Sequence, residues 1–360
     1  MGILDKIKKN TTVKDSDILK NSKFFTKKDM IPTSIPAINI ALSGRLDGGL
    51  TPGLTMWAGP SKHFKTAFSL LMAKSYLDKY EDAALLFYDS EFGTPQSYFD
   101  SFGIDVERVL HTPITDVEQL KFDIMKQLEG LDRGDRLMIV IDSIGNLASK
   151  KEVDDALDGK SVADMSRAKQ IKSLFRMVTP YLSLKDIPMV VVNHTYKTME
   201  LYSKDVVGGG TGSYYSADNI FILGRQQDKD GTELQGYNFI INVEKSRYVR
   251  EKSKIPVSVK FDGGMSKWSG LLDMAMETGH VVKPSVGWYS KVNVETGEVE
   301  EKKYRIKDTD TKDFWMPVIT DPTFQEAIKK RYQIAHGKIV TDDEIDQALA
   351  ELPDDTEVEV

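Results

Sequence analysis

Short apolar runs, some continuous and some alternating with a period of two, recur at residues 54–58, 84–88, 137–141, 188–192, 219–223, 237–243 and 256–261. Each predicts a β-strand. Between the early runs the spacing changes to that of a helix. Residues 66–80 carry Phe68, Leu71, Met72 and Leu77 on one side, and residues 117–131 repeat apolar positions three and four apart. Strand–helix–strand alternation predicts an α/β fold with a central, mainly parallel twisted sheet covered on both faces, joined by later strands as antiparallel hairpins. Upstream, residues 15–26 read as a short helix running into the pair Phe24 and Phe25. Downstream, residues 270–278 read as a helix, 286–306 as a hairpin turning near Thr296 and Gly297, and 322–335 as a helix stopped by Gly337. Two polar stretches, 149–160 and 195–213, read as loops. The second holds Gly208-Gly209-Gly210-Thr211-Gly212, a backbone free to approach phosphate closely.

Composition narrows the chemistry. With 40% hydrophobic and 29% charged residues in 360, the chain is an ordinary globular protein of two or three domains. It has no cysteine and five scattered histidines, which excludes disulfides, thiolate nucleophiles and Cys-based metal sites. Any metal is expected to be a hard ion on oxygen ligands. No apolar run approaches the roughly 18 residues of a membrane span, and the first ten residues lack a signal-peptide core, so the expected location is the cytoplasm, with no membrane partner. The net charge of −7 is concentrated at the end. Residues 341–360 hold nine Asp or Glu and no Lys or Arg; with those nine set aside, 48 Lys and Arg face 46 of the 55 acidic residues. A near-neutral body of this kind can hold basic grooves for nucleic acid.

The segment Gly59-Pro60-Ser61-Lys62-His63-Phe64-Lys65-Thr66 lies between a predicted strand and a predicted helix, where helix N-terminal amides can cradle phosphate. In that role Lys65 reaches the outer phosphates of a nucleotide and Thr66 binds magnesium. Phe64 stands where the usual pattern has glycine, and must find allowed dihedrals or carry strain. Ligands of open α/β sheets bind beyond the carboxyl ends of the strands. There the chain has Asp89 and Glu91, Asp142 and Ser143, and Asn193 and His194. Asp142 is either an acidic residue orienting water on magnesium or a helix cap; Glu91 either polarises an attacking water or is a solvated loop carboxylate. His194 is either an imidazole satisfied by backbone or a sensor of nucleotide state. Arg167, Lys169, Lys172 and Arg176 form either a DNA-facing or a solvated helix side. Lys245 and Arg247 end a strand, where cations can stabilise a transferring phosphoryl group or merely aid solubility.

Taken together, Ser22-Lys23-Phe24-Phe25, 35–44, 59–66, 86–93, 141–152, 193–196, 208–212, 243–247 and 270–275 resemble the RecA-type recombinases, closest to the UvsX recombinases of T-even-like phages. That resemblance implies an N-terminal polymerisation arm (1–30), a RecA-type P-loop ATPase core with DNA-binding loops (31–268), a small C-terminal α+β domain (269–350) and an acidic tail (351–360). It implies ATP and Mg2+ as ligands, held by Gly59 to Thr66, Asp142 and Tyr98, the last stacking on adenine; Thr66 and Asp142 are the metal ligands and Glu91 the catalytic base. His194 stands where bacterial relatives have glutamine. Lys245 and Arg247 match basic residues that reach a neighbouring subunit's ATP. DNA contacts are implied for Lys150, Lys151, Lys160, Arg167, Lys197, Lys204, Gly208, Gly209 and Gly210. The implied activity is a DNA-dependent ATPase that forms helical filaments on single-stranded DNA and pairs it with duplex in recombination, repair and replication, aided by a single-strand-binding protein and a mediator. Two rivals share these features: a ring-forming helicase, and a nucleotide-gated DNA-binding scaffold without turnover.

Overall fold

The computed structural model describes residues 2–14, 16–24, 28–160, 166–198 and 205–334. In chain order the elements are α1 (Ile3–Asn10), α2 (Pro36–Ser43), β1 (Gly53–Ala58), α3 (Lys65–Lys79), β2 (Ala84–Asp89), α4 (Gln96–Ser101), β3 (Val109–Pro113), α5 (Val117–Glu129), β4 (Leu137–Asp142), α6 (Lys150–Leu157) and α7 (Ser166–Lys185). There follow β5 (Pro188–Asn193), β6 (Thr195–Lys197), β7 (Asp205–Val207), α8 (Thr211–Ser216), β8 (Asn219–Asp230), β9 (Glu233–Ser246), β10 (Lys254–Lys260) and β11 (Gly264–Met265). The last are α9 (Leu271–Glu277), β12 (Val281–Ser285), β13 (Trp288–Lys291), β14 (Tyr304–Arg305), α10 (Lys312–Thr320) and α11 (Pro322–Tyr332).

Among the described residues the main sheet has nine strands in the order β11-β10-β9-β8-β1-β5-β4-β2-β3. The strands from β8 to β3 in that order pair in parallel, and β9, β10 and β11 add as antiparallel hairpins. Both faces are buried because the inner strands are apolar at nearly every position before the polar residues that end β2, β4 and β5. Leu54, Met56, Leu86, Tyr88, Ile139 and Ile141 pack on one side with α5 and α7. Their neighbours Trp57, Leu85, Phe87, Met138 and Val140 pack on the other, against α2 and α3. Each fully buried side chain of this size stabilises the fold by roughly 1.5–3 kcal/mol. Parallel strands so covered send all their carboxyl ends to one rim, and the chemistry-bearing residues lie there.

Residues after 268 form a second, three-stranded sheet, β12-β13-β14, flanked by α9, α10 and α11. Their apolar side chains Leu271, Phe314, Trp315, Phe324 and Ile328 join the same cluster as Phe239, Ile241 and Val257 of β9 and β10. The end of α11 is tied back by Arg250, which donates to Lys330 O at 2.7 Å and to Gln333 O at 3.1 Å.

Several sequence expectations change. The helix expected at residues 15–26 is, in its described part, only a 3-10 turn at Leu19–Asn21; Asp15, Phe25 and Thr26 lie outside the described residues. The helix is α1 instead, with Asp5 accepting from Gly2 N at 3.0 Å and with Ile3, Leu4 and Ile7 all exposed. The expected loop at 149–160 contains α6, because Ser149 Oγ caps Glu152 N at 3.1 Å in a Ser-x-x-Glu start. The expected loop at 195–213 contains the β6–β7 hairpin and the start of α8. The hairpin expected at 286–306 is present as β13 and β14, with Gly297 N donating to Asn293 O at 2.8 Å in its turn, and β12 is an added strand paired to β13. The tail and Lys204 lie outside the described residues.

Candidate functional site

The site is built from the loop after β1. Lys62 and Phe64 both take left-handed backbone, with φ of 61° and 59°, and α3 begins at the next residue, Lys65. A left-handed phenylalanine costs roughly 1–2 kcal/mol. Packing compensates: the Phe64 ring lies 4.8 Å from the buried ring of Phe239 on β9, so the residue that replaces the usual glycine is locked in place. The loop is thus bent as a phosphate cradle must be, with the amides of α3's first turn facing the rim.

Lys65 is buried, and its ammonium donates to Gly59 O at 3.0 Å and Pro60 O at 2.8 Å. Burial lowers its pKa, while the nearby Glu91 and Asp142 carboxylates pull it up. Thr66 Oγ1 donates to Asp142 Oδ2 at 2.6 Å. Asp142, the last residue of β4, is 3% exposed, and its other oxygen, Oδ1, has no hydrogen-bond partner. Burial, with Glu91 and Asp89 adding negative charge, pushes this carboxyl up to about 6. An orphaned buried carboxylate oxygen beside a threonine hydroxyl fits a magnesium ion, which takes a few protein oxygens and keeps its waters.

Glu91 is held from two sides. Ser143 Oγ donates to Glu91 Oε1 at 2.6 Å, and His194 Nε2 lies 3.1 Å from the same oxygen. The His194 hydrogen bond, then that from Ser143, then the nearby positive charge of His194 and Lys65, draw the Glu91 carboxyl down to about 2 against its burial. It is an anionic acceptor with one oxygen committed and Oε2 left for other work. The turn that presents it is closed by Asp89 Oδ1, which accepts from Glu91 N at 2.9 Å and Phe92 N at 2.8 Å.

His194 therefore has its working side on Glu91 rather than on backbone. Its own backbone leads directly into the β6–β7 hairpin: Gly208 N donates to His194 O at 2.9 Å, and Asn193 Nδ2 to Gly208 O at 2.8 Å. His194 and Asn193 are thus tied to the base of the glycine run. Gly209 and Gly210 use φ of 89° and 73°, which only glycine takes freely.

The phosphate loop, Glu91, Asp142 and His194 surround one pocket of about 550 Å³, and Tyr98 of α4 with Pro95 and Ser97 closes its far side. Tyr98 is partly buried and packs edge-on to Phe102 at 5.5 Å. The spacing of sequence motifs did not single out Ser143 as a partner of Glu91; its position after an apolar strand was the only signal.

Lys245 and Arg247 are not in this pocket. Ser246 pairs with Asn219, and Asn219 with Thr55 of β1, so both cations stand at the start of β1. At about 3.3 Å per residue, that is about 13 Å back from Gly59 along the strand. Lys245 Nζ donates to Tyr214 O at 2.7 Å, and Arg247 Nε lies 2.5 Å from Asp218 Oδ1 with its side chain 64% exposed. Asp218 is itself anchored, since its Oδ2 accepts from Leu54 N at 2.9 Å.

The expected DNA residues divide. Arg167 is corrected: it turns inward and donates to Leu147 O at 2.6 Å, Gly145 O at 2.8 Å and Ile144 O at 3.1 Å, so it braces the segment before α6 and leaves its neighbours Lys169, Lys172 and Arg176 as the exposed cations of α7. Lys150 is exposed at the start of α6; Lys151 pairs with Asp155, and Lys160 with Asp158 at 2.8 Å. Lys197 is exposed on β6.

Comparison with known proteins agrees with this geometry. Residues 3–266 match a family described as "RecA N-terminal domain", and residues 268–328 match "Bacteriophage T4, Recombination and repair protein, C-terminal domain". The chain is 53% identical over 348 residues to the "Recombination and repair protein" of Enterobacteria phage T4, covering 96% of this chain and 88% of that one. It is 26% identical over 310 residues to "Protein RecA" of Bacteroides thetaiotaomicron, covering 85% and 90%, and 24% identical over 279 residues to "Protein RecA" of Streptomyces avermitilis, covering 76% and 71%.

Proposed function

Since the chain belongs to the RecA family, on the branch of the phage T4 recombination and repair protein, we propose that it is a DNA-dependent ATPase that assembles on single-stranded DNA and exchanges strands with duplex. In this reading the amides of the phosphate loop and Lys65 bind the outer phosphates of ATP, and Lys65 moves from two carbonyls to a stronger anionic partner. Tyr98 offers its ring to the base. Thr66 and Asp142 would hold a magnesium ion, which supplies charge neutralisation on the phosphate oxygens. Glu91 orients the attacking water with its uncommitted oxygen, and its low pKa keeps it in the accepting form across the neutral range.

Lys245 and Arg247 enter from the next protomer. Their place toward the opposite end of the strands supports this, because within one chain they lie outside the pocket that the phosphate loop lines. An ATP bridging two protomers links assembly to hydrolysis, since removing its γ-phosphate removes the anion both subunits hold. α1, with no buried residue of its own, is the expected polymerisation arm. Lys169, Lys172 and Arg176 of α7, Lys150, Lys197 and the Gly208–Gly210 run are the expected DNA surface, with phosphate contacts setting affinity and base pairing testing homology. Through Glu91 and Gly208, His194 would couple nucleotide state to that surface. A single-strand-binding protein and a loading mediator are the expected protein partners.

The observation that carries the reading is the convergence in one pocket of a bent phosphate loop, an orphaned Asp142 oxygen and a doubly anchored Glu91. Lys65→Ala tests it. DNA-stimulated ATP hydrolysis should fall to background in the purified variant, and unchanged turnover would refute the assignment of the site.

A further inference from the structure

The carboxylate that closes the Glu91 turn is itself held from outside the pocket. Asp89 ends β2 with its side chain only 5% exposed, and Oδ1 is spent on the amides of Glu91 and Phe92. That turn is costly to hold open: Phe92 has φ of 54° and a ring 61% exposed, so no packing of the kind that locks Phe64 supports it. The Asp89 carboxylate fixes the Glu91 and Phe92 amides, beside the contacts that Ser90 makes with Asp142 O and Ser143. Its other oxygen, Oδ2, lies 3.2 Å from His111 Nε2. An ionised carboxylate only accepts, so in this contact Nε2 carries the hydrogen.

His111 is well placed to be a brace. It sits on β3, the outermost strand, in register with Phe87, two residues before Asp89 on β2; the His111 and Phe87 rings stack at 6.1 Å and 27°. The side chain thus lies diagonally across the strand pair from Asp89, within reach for a cross-strand contact. Half exposed at 53%, it adds little to the core. Its one polar contact among the described residues is with Asp89.

We propose that His111 is a positioning residue for hydrolysis: by holding Asp89 Oδ2 it steadies the carboxylate that anchors the Glu91 and Phe92 amides, and so fixes the backbone from which Glu91 reaches Ser143 and His194. The inference rests on the reading of Glu91 as the group that orients water. Misplacing such a group by a fraction of an ångström is felt in the chemical step and not in nucleotide binding.

The test is steady-state ATP hydrolysis by the full chain on single-stranded DNA, with nucleotide affinity and thermal midpoint measured alongside. His111→Ala should lower kcat by about tenfold while KM for ATP stays within about twofold. His111→Gln, which keeps an N–H donor, should recover most of the loss. Asp89→Asn should lose kcat to a similar degree, and the double variant should be no worse than either single one, because both act through one contact. Wild-type kcat in His111→Ala, equal losses in the Ala and Gln variants, or a loss shared between kcat and KM would overturn the proposal. Glu91→Gln is the control that separates the two layers. If it is inactive, the outcomes above judge His111 alone; if it turns over like the wild type, the base assignment itself fails and the brace has nothing to position.

Discussion

Replacing Asp142 by asparagine should make the nucleotide-free protein more stable while destroying its magnesium-dependent activity. The side chain is 3% exposed, its Oδ1 is unpartnered, and burial holds the carboxyl at about 6 instead of 3.8. The folded chain keeps this proton up to about pH 6, whereas the unfolded chain releases it near 3.8. Between those values the folded state binds more protons, so wild-type stability falls as pH rises through the window and stays lower above it. A pKa difference of this size corresponds to about 3 kcal/mol at pH 8. Asparagine has no charge to bury, and its carbonyl can still accept from Thr66 Oγ1. The assay is urea unfolding in EDTA at pH 5 and pH 8. The variant should exceed the wild type by about 1–3 kcal/mol at pH 8, with the gain shrinking markedly at pH 5. A variant no better than wild type at pH 8, or one whose advantage is the same at both pH values, would show that Asp142 is not a strained anion waiting for a cation.

Four further outcomes follow, three from the same geometry and one from the charge of the acidic tail. Ser143→Ala removes a donor that helps keep Glu91 at about 2, so the Glu91 carboxyl, followed by NMR titration, should move up toward 4.5; a carboxyl that does not move would remove Ser143 from the site. The stability that Glu91 contributes has the opposite sign to that of Asp142: it is present above 4.5 and is lost as pH falls toward 2. Arg247→Ala should leave ATP binding by isolated protomers within about twofold while reducing DNA-stimulated hydrolysis by about 10-fold or more, and full stimulated activity would argue against completion of the site by a neighbour. Deleting residues 342–360 removes nine negative charges, so single-stranded DNA binding should survive higher salt, as read from the salt dependence of affinity; identical curves would exclude the tail from that role.

The parts of this molecule legible in the sequence were those written in short-range patterns. Apolar runs ending in Asp89, Asp142 and Asn193 located the rim of the sheet, and the strand–loop–helix context located the phosphate loop around an unorthodox Phe64. Its dihedrals were not legible, because they depend on Phe239, 175 positions away in the chain and brought close only by β9. The same limit hid the roles of the histidines. His194 touches Glu91 and His111 touches Asp89 across strands, whereas in sequence they are two of five scattered imidazoles. Arg167 looked like one more cation of a basic face, and only the curvature of the segment before α6 reveals three carbonyls waiting for it. β3 escaped notice because an outermost strand with Leu110 and His111 exposed lacks the continuous apolar run of its inner neighbours. α6 carried its Ser149-to-Glu152 cap in plain view, but without a buried face it read as loop.

Whether two protomers grip one triphosphate is tested most directly by a cryogenic electron microscopy map of the protein on single-stranded DNA with a non-hydrolysable ATP analogue. The γ-phosphate should lie between Lys65 of one protomer and Lys245 and Arg247 of the next, with Arg247 turned from Asp218 toward the nucleotide. A nucleotide enclosed by a single chain, with every neighbouring Arg247 still on its own Asp218, would contradict the account.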